Sequence, residues 1–370
     1  MTRLKGMTWN HARGLDPLVA CSADWAAQGG AQIDWDARPL QDFESYPVED
    51  LARRYDLIVI DHPHVGQVTA EGCLVPLPSA PEIAAHSVGL SYPSYTWEGR
   101  QWAYPIDAAT QVQAIRPDLI DAPPTNWDEV VTLARAGRVL VPLRAPHALM
   151  CFFTLTANDG HPCRSDGLGR LVDRDAGIAA LDRLRAVTSS MDPAGFEMDP
   201  IAVFDRVAAG GNIACMPLIY GYVSYALDGF RPHRLTFHDI PSTRPDGGVG
   251  GTALGGTGIA VSAFSQHRED ALAFARHVAG PQAQAGRFAS LGGQVGHRGA
   301  WTDGRVVADG GRFYSGTLAT LDGAWMRPRH DGYMAFQGPA SERIADALRT
   351  GGFGAALDDL QRLFDATFAN

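Results

Sequence analysis

The run "YDLIVID", residues 55 to 61, limits most strongly what this chain can fold into. Its four consecutive apolar residues, Leu57 to Ile60, suit a strand buried on both faces, as in a parallel sheet covered by helices. Two alternating units precede it. "RLKGMTW" reads as a first strand, and "LDPLVACSADWAAQGG" as a helix with Asp16 at its start, Pro17 at its first helical position, and Gly29 and Gly30 closing it. "AQIDWDA" reads as a second strand, followed by an acidic, aromatic loop around "LQDFESYP". Ligands of such sheets sit beyond the carboxyl ends of the strands, where "TWNH", "DARPLQD" and "DHPH" fall.

The alternation of strands and helices continues, which defines an α/β chain. "TNWDEVVTLARAG" predicts a capped amphipathic helix with Asp128 and Glu129 in its first turn, favouring the dipole. "VLVPL" predicts a short strand; "PHALMCFFTLTANDG" a helix entered through Pro146 and stopped at Gly160; "DRDAGIAALDRLRAVTSS" another helix. "AVFDRVAAGGNIACMPLIYGYVSYAL" supplies a helix, a Gly210-Gly211 turn, a strand and an aromatic segment. "GGTGIAVSA" predicts a strand, and "QHREDALAFARHVA" and "GGFGAALDDLQRLFDATF" predict helices. A chain of 370 residues exceeds what one core usually serves, so two lobes are expected.

Charge narrows the partners. A formal charge of -10 leaves no basic face for nucleic acid or an anionic membrane. No run approaches the roughly 20 apolar residues of a membrane-spanning helix, and "MTRLKGMTW" lacks the apolar core of a signal peptide. Cys21, Cys73, Cys151, Cys163 and Cys215 are odd in number and show no CxxC spacing, so neither a disulfide framework nor a thiolate zinc site is expected. As written, the chain is expected in the cytoplasm, the alternative being the cell envelope after removal of a leader.

Asp61, His62 and His64 pose the chemical question: an aspartate beside a His-x-His pair suits a metal, acid/base chemistry or the wall of a pocket. His147, His161, His233 and His238 do not close a series of barrel strands that would complete a metal set, so no metal and no cofactor are expected. Extended backbone before Pro63 predicts that His62 and His64 project to one side while Asp61 turns away. "GGTALGGTGIAVS" has the glycines of a phosphate loop but precedes a strand. It reads instead as chain passing close to a cleft floor, with Thr257 as a donor.

The order "YDLIVID…GCLVPL", "WEGRQWAYPIDAATQVQAIRPDLI", "PPTNWDEVVTLAR", "FDRVAAGGNIACMP" and "GGTGIAVSAFSQHREDALAFARHVAGPQAQ" resembles the family 1 extracellular solute-binding proteins, the maltose-binding-protein type of ABC-importer subunit. The resemblance implies an α/β, two-lobed periplasmic-binding-protein-like fold of type II, each lobe a mixed sheet flanked by helices, closing on a ligand in the cleft between them. Lobe one is expected at 1–107 plus 248–300, lobe two at 108–247 plus 301–370, with hinges near 104–107 and 241–251. The resemblance also implies Trp9, Tyr220, Tyr222, Trp325 and Tyr333 as aromatic ligand contacts and His11, His64, Asp107 and His147 as polar ones, with Arg327 facing a ligand carboxylate. The expected activity is capture of a sugar or a related polyol or carboxylate, by a monomer that serves an ABC permease. A second reading, an enzyme on the same fold using cleft histidines and an aspartate as acid and base, stays beside it.

Overall fold

The computed structural model describes residues 2–40 and 47–369, so residues 41–46 of the expected acidic loop lie outside the described residues. In chain order, the strands that build the two main sheets are β1 (Arg3–Trp9), β2 (Gln32–Arg38), β3 (Leu57–Asp61), β4 (Tyr104–Pro105), β5 (Ala109–Ile115), β6 (Cys215–Tyr220), β7 (Thr236–His238), β8 (Leu254–Gly255) and β9 (Thr257–Val261). The helices used below are α1 (Ala12–Ala27), α2 (Trp127–Arg135), α3 (His147–Asn158), α4 (Arg174–Thr188), α5 (Pro200–Ala209), α6 (Arg268–Ala279), α7 (Phe313–Asp322), α8 (Tyr333–Thr350) and α9 (Phe353–Ala366).

The first sheet has the order β2-β1-β3-β9-β4. Strand β1 runs parallel to β2 and β3, and β9 runs antiparallel to β3 and β4. The apolar run of β3 is buried throughout Leu57 to Ile60, as its composition demands. In the second sheet β5 is antiparallel to β6, β7 and β8. All seven residues of β5 are buried, three of them polar, and each polar side chain has a partner. Thr110 meets Thr252, Gln111 accepts from Thr154, and Gln113 donates to the Pro124 carbonyl. One apolar core surrounds the first sheet and runs on to one side of the second, through β5, β6, β7, α5 and α7; another gathers α2, α3, α4, α8 and α9.

The chain leaves the first sheet after Pro105 and enters the second at Ala109; it leaves the second at Gly255 and re-enters the first at Thr257. Gly256, at φ +92°, makes the return, and a Cβ there would lie 2.5 Å from the Asp107 carbonyl oxygen. Only glycine tolerates both demands. A third passage follows α7: Trp325 pairs with Ala253 beside the second sheet, while the Arg329 carbonyl accepts from Gly66 and its guanidinium donates to the carbonyls of Pro93, Ser94 and Thr96.

Three expectations are corrected. Helix α1 begins at Ala12, not at Asp16, because the His11 imidazole accepts from the Arg13 amide and caps an earlier turn; Pro17 lies inside the helix. "VLVPL" forms only an isolated pairing of Val139 with Cys215. Helices α7 and α8 lay outside the segments read as helical, α8 carrying Pro339 in its interior.

Candidate ligand cleft

The loops after β1, β3 and β6, the start of β5, the chain around Gly256 and the N-terminal ends of α3 and α5 converge on one cleft. Its lining includes Trp9, Arg13, Asp61, His147, Tyr220, Tyr222, Thr257, Arg327 and Gln337. About 620 Å³ of space not filled by atoms lies among these residues, open solvent included. Tyr220 sits at the end of β6 with its ring over Gly255, where a Cβ would come within 2.6 Å of Cε1. Tyr222, two residues on, is buried and meets the His11 ring edge-on at 4.9 Å.

Two buried guanidinium groups stand in the cleft, and each is satisfied within the protein. Arg13 reaches Asp107 through two parallel hydrogen bonds, Nε to Oδ2 at 2.7 Å and Nη2 to Oδ1. Its Nη1 donates to the Gly221 carbonyl at 2.7 Å, and its Cζ lies 4.4 Å from the Tyr222 ring centre. Arg327 donates from Nη2 to Asp61 at 2.7 Å, from Nε to the Leu254 carbonyl at 3.0 Å, and from Nη1 to Gln337 at 3.4 Å. Burial works to raise the Asp61 carboxyl, but Arg327 and the His62 side chain outweigh it and hold the group well below the ordinary range. At Asp107 burial prevails against Arg13 and pushes the carboxyl up.

Against the sequence-based expectations, the cleft takes Trp9, Asp61, His147, Tyr220, Tyr222, Thr257 and Arg327. His11, His62, His64, Asp107, Trp325 and Tyr333 do not line it. The Asp61/His62/His64 geometry is reversed: Asp61 faces the cleft, whereas His62 and His64 are buried in a 3₁₀ turn behind it. The turn starts because the Asp61 carboxylate accepts from the His62 amide, which bends the chain where an extended run was expected. Asp107 stands under the cleft as the partner of Arg13, Trp325 packs on Phe153 at 5.0 Å, and Tyr333 is core. Arg13 and Gln337 were missed. Neither carries a local motif, and the partner of Arg13 lies 94 positions away.

Among the described residues of the lining, both ring nitrogens of His147 and the Thr257 hydroxyl are without a hydrogen-bond partner. Buried polar groups without partners cost free energy, so these atoms remain open to a further hydrogen-bond partner. Burial first, with Arg144 and Arg327 adding to it, lowers His147 to about 3, so its imidazole is neutral and offers one donor and one acceptor. Among the described residues, no three His, Cys, Asp or Glu side chains stand where they can share a metal ion.

The neutral histidines fix the acid response. Burial lowers His11 and His62 to about 4, helped by Arg13 and Arg327 respectively. Below pH 6.5 the unfolded chain takes up protons that the folded chain refuses, so stability is full above pH 6.5 and lost as pH falls through 4. The slope is at most about 1.4 kcal/mol per pH unit for each histidine, while Asp107, displaced upward, works in the opposite sense. Urea midpoints at pH 7.5, 5.5 and 4.5 are expected to fall steadily. A flat profile would show that the imidazoles are hydrated in solution.

The family described as bacterial extracellular solute-binding protein matches residues 50–295. No curated protein sequence matches the chain. Solved structures do. T. maritima MalE3 with maltose bound is 17% identical over 98% of each chain, TM-score 0.81. A solute-binding protein of an ABC transporter from Agrobacterium radiobacter K84, in complex with ribitol, is 19% identical over 99% of each, TM-score 0.77. One from Thermotoga lettingae TMO, bound with alpha-D-tagatose, is 13% identical over 99% of this chain and 100% of its own, TM-score 0.84. At such identities the likeness is one of fold: two α/β lobes about a cleft.

Proposed function

We propose a function from one premise: this chain belongs to the bacterial extracellular solute-binding protein family. It captures a small uncharged polyhydroxy compound, a sugar or sugar alcohol, between its lobes. The observation that carries this is charge balance. Arg13 is neutralised by Asp107, Arg327 by Asp61, and His147 is neutral, so among the described residues the cleft lining holds no spare cation for a ligand carboxylate or phosphate. The role expected for Arg327 toward a ligand acid is taken by Asp61. Tyr220 and Tyr222 offer flat rings with polar tips, and His147 and Thr257 offer the hydrogen bonds that hydroxyl groups use. The maltose, ribitol and tagatose of the structural relatives are of this class.

Lobe one comprises 1–107 plus the segment after Gly256 up to about 300, and lobe two the remainder. The hinge lies at 106–108 and Gly256, with 325–329 as a third connection. Sheet membership supports the division, since β4 and β9 belong to one sheet and β5 and β8 to the other. The chain acts as a monomer that delivers its ligand to an ABC permease. Its five cysteines are all free and buried, which shields them in an oxidising or a reducing compartment, so they do not oppose an extracellular location. The enzymatic reading has less support: His147 and Asp61 are held far below neutrality, and neither is poised for proton transfer near pH 7.

A thermal-shift panel tests the ligand class. A neutral compound that fits, tried among maltose, ribitol and tagatose and their relatives, is expected to stabilise the fold by about 2.7 kcal/mol at a hundredfold excess over Kd. The matching aldonate, uronate or sugar phosphate is expected to do nothing. Stabilisation by the acids alone would overturn the charge argument.

A further inference from the structure

We propose that Arg13 is a clamp that sets how far the two lobes stand apart, and that it governs affinity by positioning the Tyr222 wall; this rests on the cleft reading above. Helix α1, which presents Arg13, packs on β1 and β2 of the first sheet. Gly221 directly follows β6 of the second sheet, and its amide donates to the Thr110 carbonyl of β5. The Arg13 guanidinium joins the two: one edge is held by Asp107 at the crossing, Nη1 grips the Gly221 carbonyl, and Cζ lies over the Tyr222 ring, 4.4 Å from its centre. Every one of these contacts is between protein atoms.

The chemistry requires arginine. Its rigid fork meets a carboxylate and a carbonyl in one plane and presents a flat face to a ring; a lysine ammonium offers one point of charge and no face. Around the guanidinium, His11, Trp9 and Tyr222 form an aromatic collar. Opening the cleft pulls Gly221 and Tyr222 away together, because they are adjacent on one chain. Arg13 is therefore a positioning residue whose loss shifts the lobes apart.

Small-angle scattering on the protein without ligand tests this, so its outcome does not depend on which sugar binds. Arg13→Lys and Arg13→Gln are compared with the parent, with circular dichroism confirming that each is folded. Both variants are expected to show a larger radius of gyration, and faster hydrogen exchange at the amides of residues 221–226. Should Arg13→Gln fail to fold, Arg13→Lys decides, since its ammonium still faces Asp107. Folded variants with the parent's radius and exchange rates would overturn the proposal. Failure of the neutral-ligand panel with a widened Arg13→Lys would instead overturn the ligand class and leave the clamp standing.

Discussion

Asp107→Ala is expected to lower the unfolding free energy by about 3–5 kcal/mol, the range for removing one partner of a buried ion pair. Arg13 and Asp107 are both almost fully buried, with side chains 4% and 1% exposed. Removing the carboxylate leaves a guanidinium without water and without a counter-charge. Arg13→Met combined with Asp107→Leu removes both charges and is expected to recover most of the loss, since the penalty lies in the orphaned charge. Equilibrium unfolding in urea, analysed as a double-mutant cycle, makes the comparison. A single-variant loss below about 1 kcal/mol, typical of exposed pairs, would mean that water reaches the pair in solution.

Tyr220→Ala is expected to weaken ligand binding by about 2 kcal/mol or more, roughly thirtyfold, while leaving the fold largely intact. Tyr220 is half-buried and lines the cleft, with His147 edge-on at 6.2 Å. A rigid ring has few rotors to freeze, so it gives contact area at low entropic cost. Tyr222 makes a poorer test because its ring also carries Arg13, and its removal mixes lost contact with lost closure. Calorimetry with the sugar found by the thermal-shift panel measures the effect. Binding equal to the parent's would remove Tyr220 from the wall.

Much of the fold was legible because local pattern and tertiary role agree. Strand β1 was read at its observed bounds, Arg3–Trp9, and α2 was found as a capped amphipathic helix with Asp128 and Glu129 in its first turn; the structure identifies the cap as Asn126, whose side chain accepts from the Glu129 amide. The failures occur where a local signal was overruled. Pro17 favoured a helix start, yet the His11 cap begins the helix five residues earlier. The β-branched "VLVPL" promised a strand, but its backbone finds only one isolated bridge to Cys215. At the cleft the rings were legible, since "IYGY" follows an apolar strand. The charges were not: Asp107, visible in sequence, was assigned to a ligand because its real partner, Arg13, sits on a distant helix with no motif around it.

The placement of β9 has a consequence for synthesis. β9 lies between β3 and β4, hydrogen-bonded to both, yet residues 109–255 must leave the ribosome before it exists. Until then β3, apolar on both faces, has one open edge, and such edges invite pairing with other chains. Nor can a sugar help early, because the cleft's lining runs from Trp9 to Gln337 and is complete only when most of the chain has been made. The nascent protein therefore passes through a long interval with a half-built sheet and no ligand site. It is this interval, more than the finished molecule, in which a holding chaperone has something to protect.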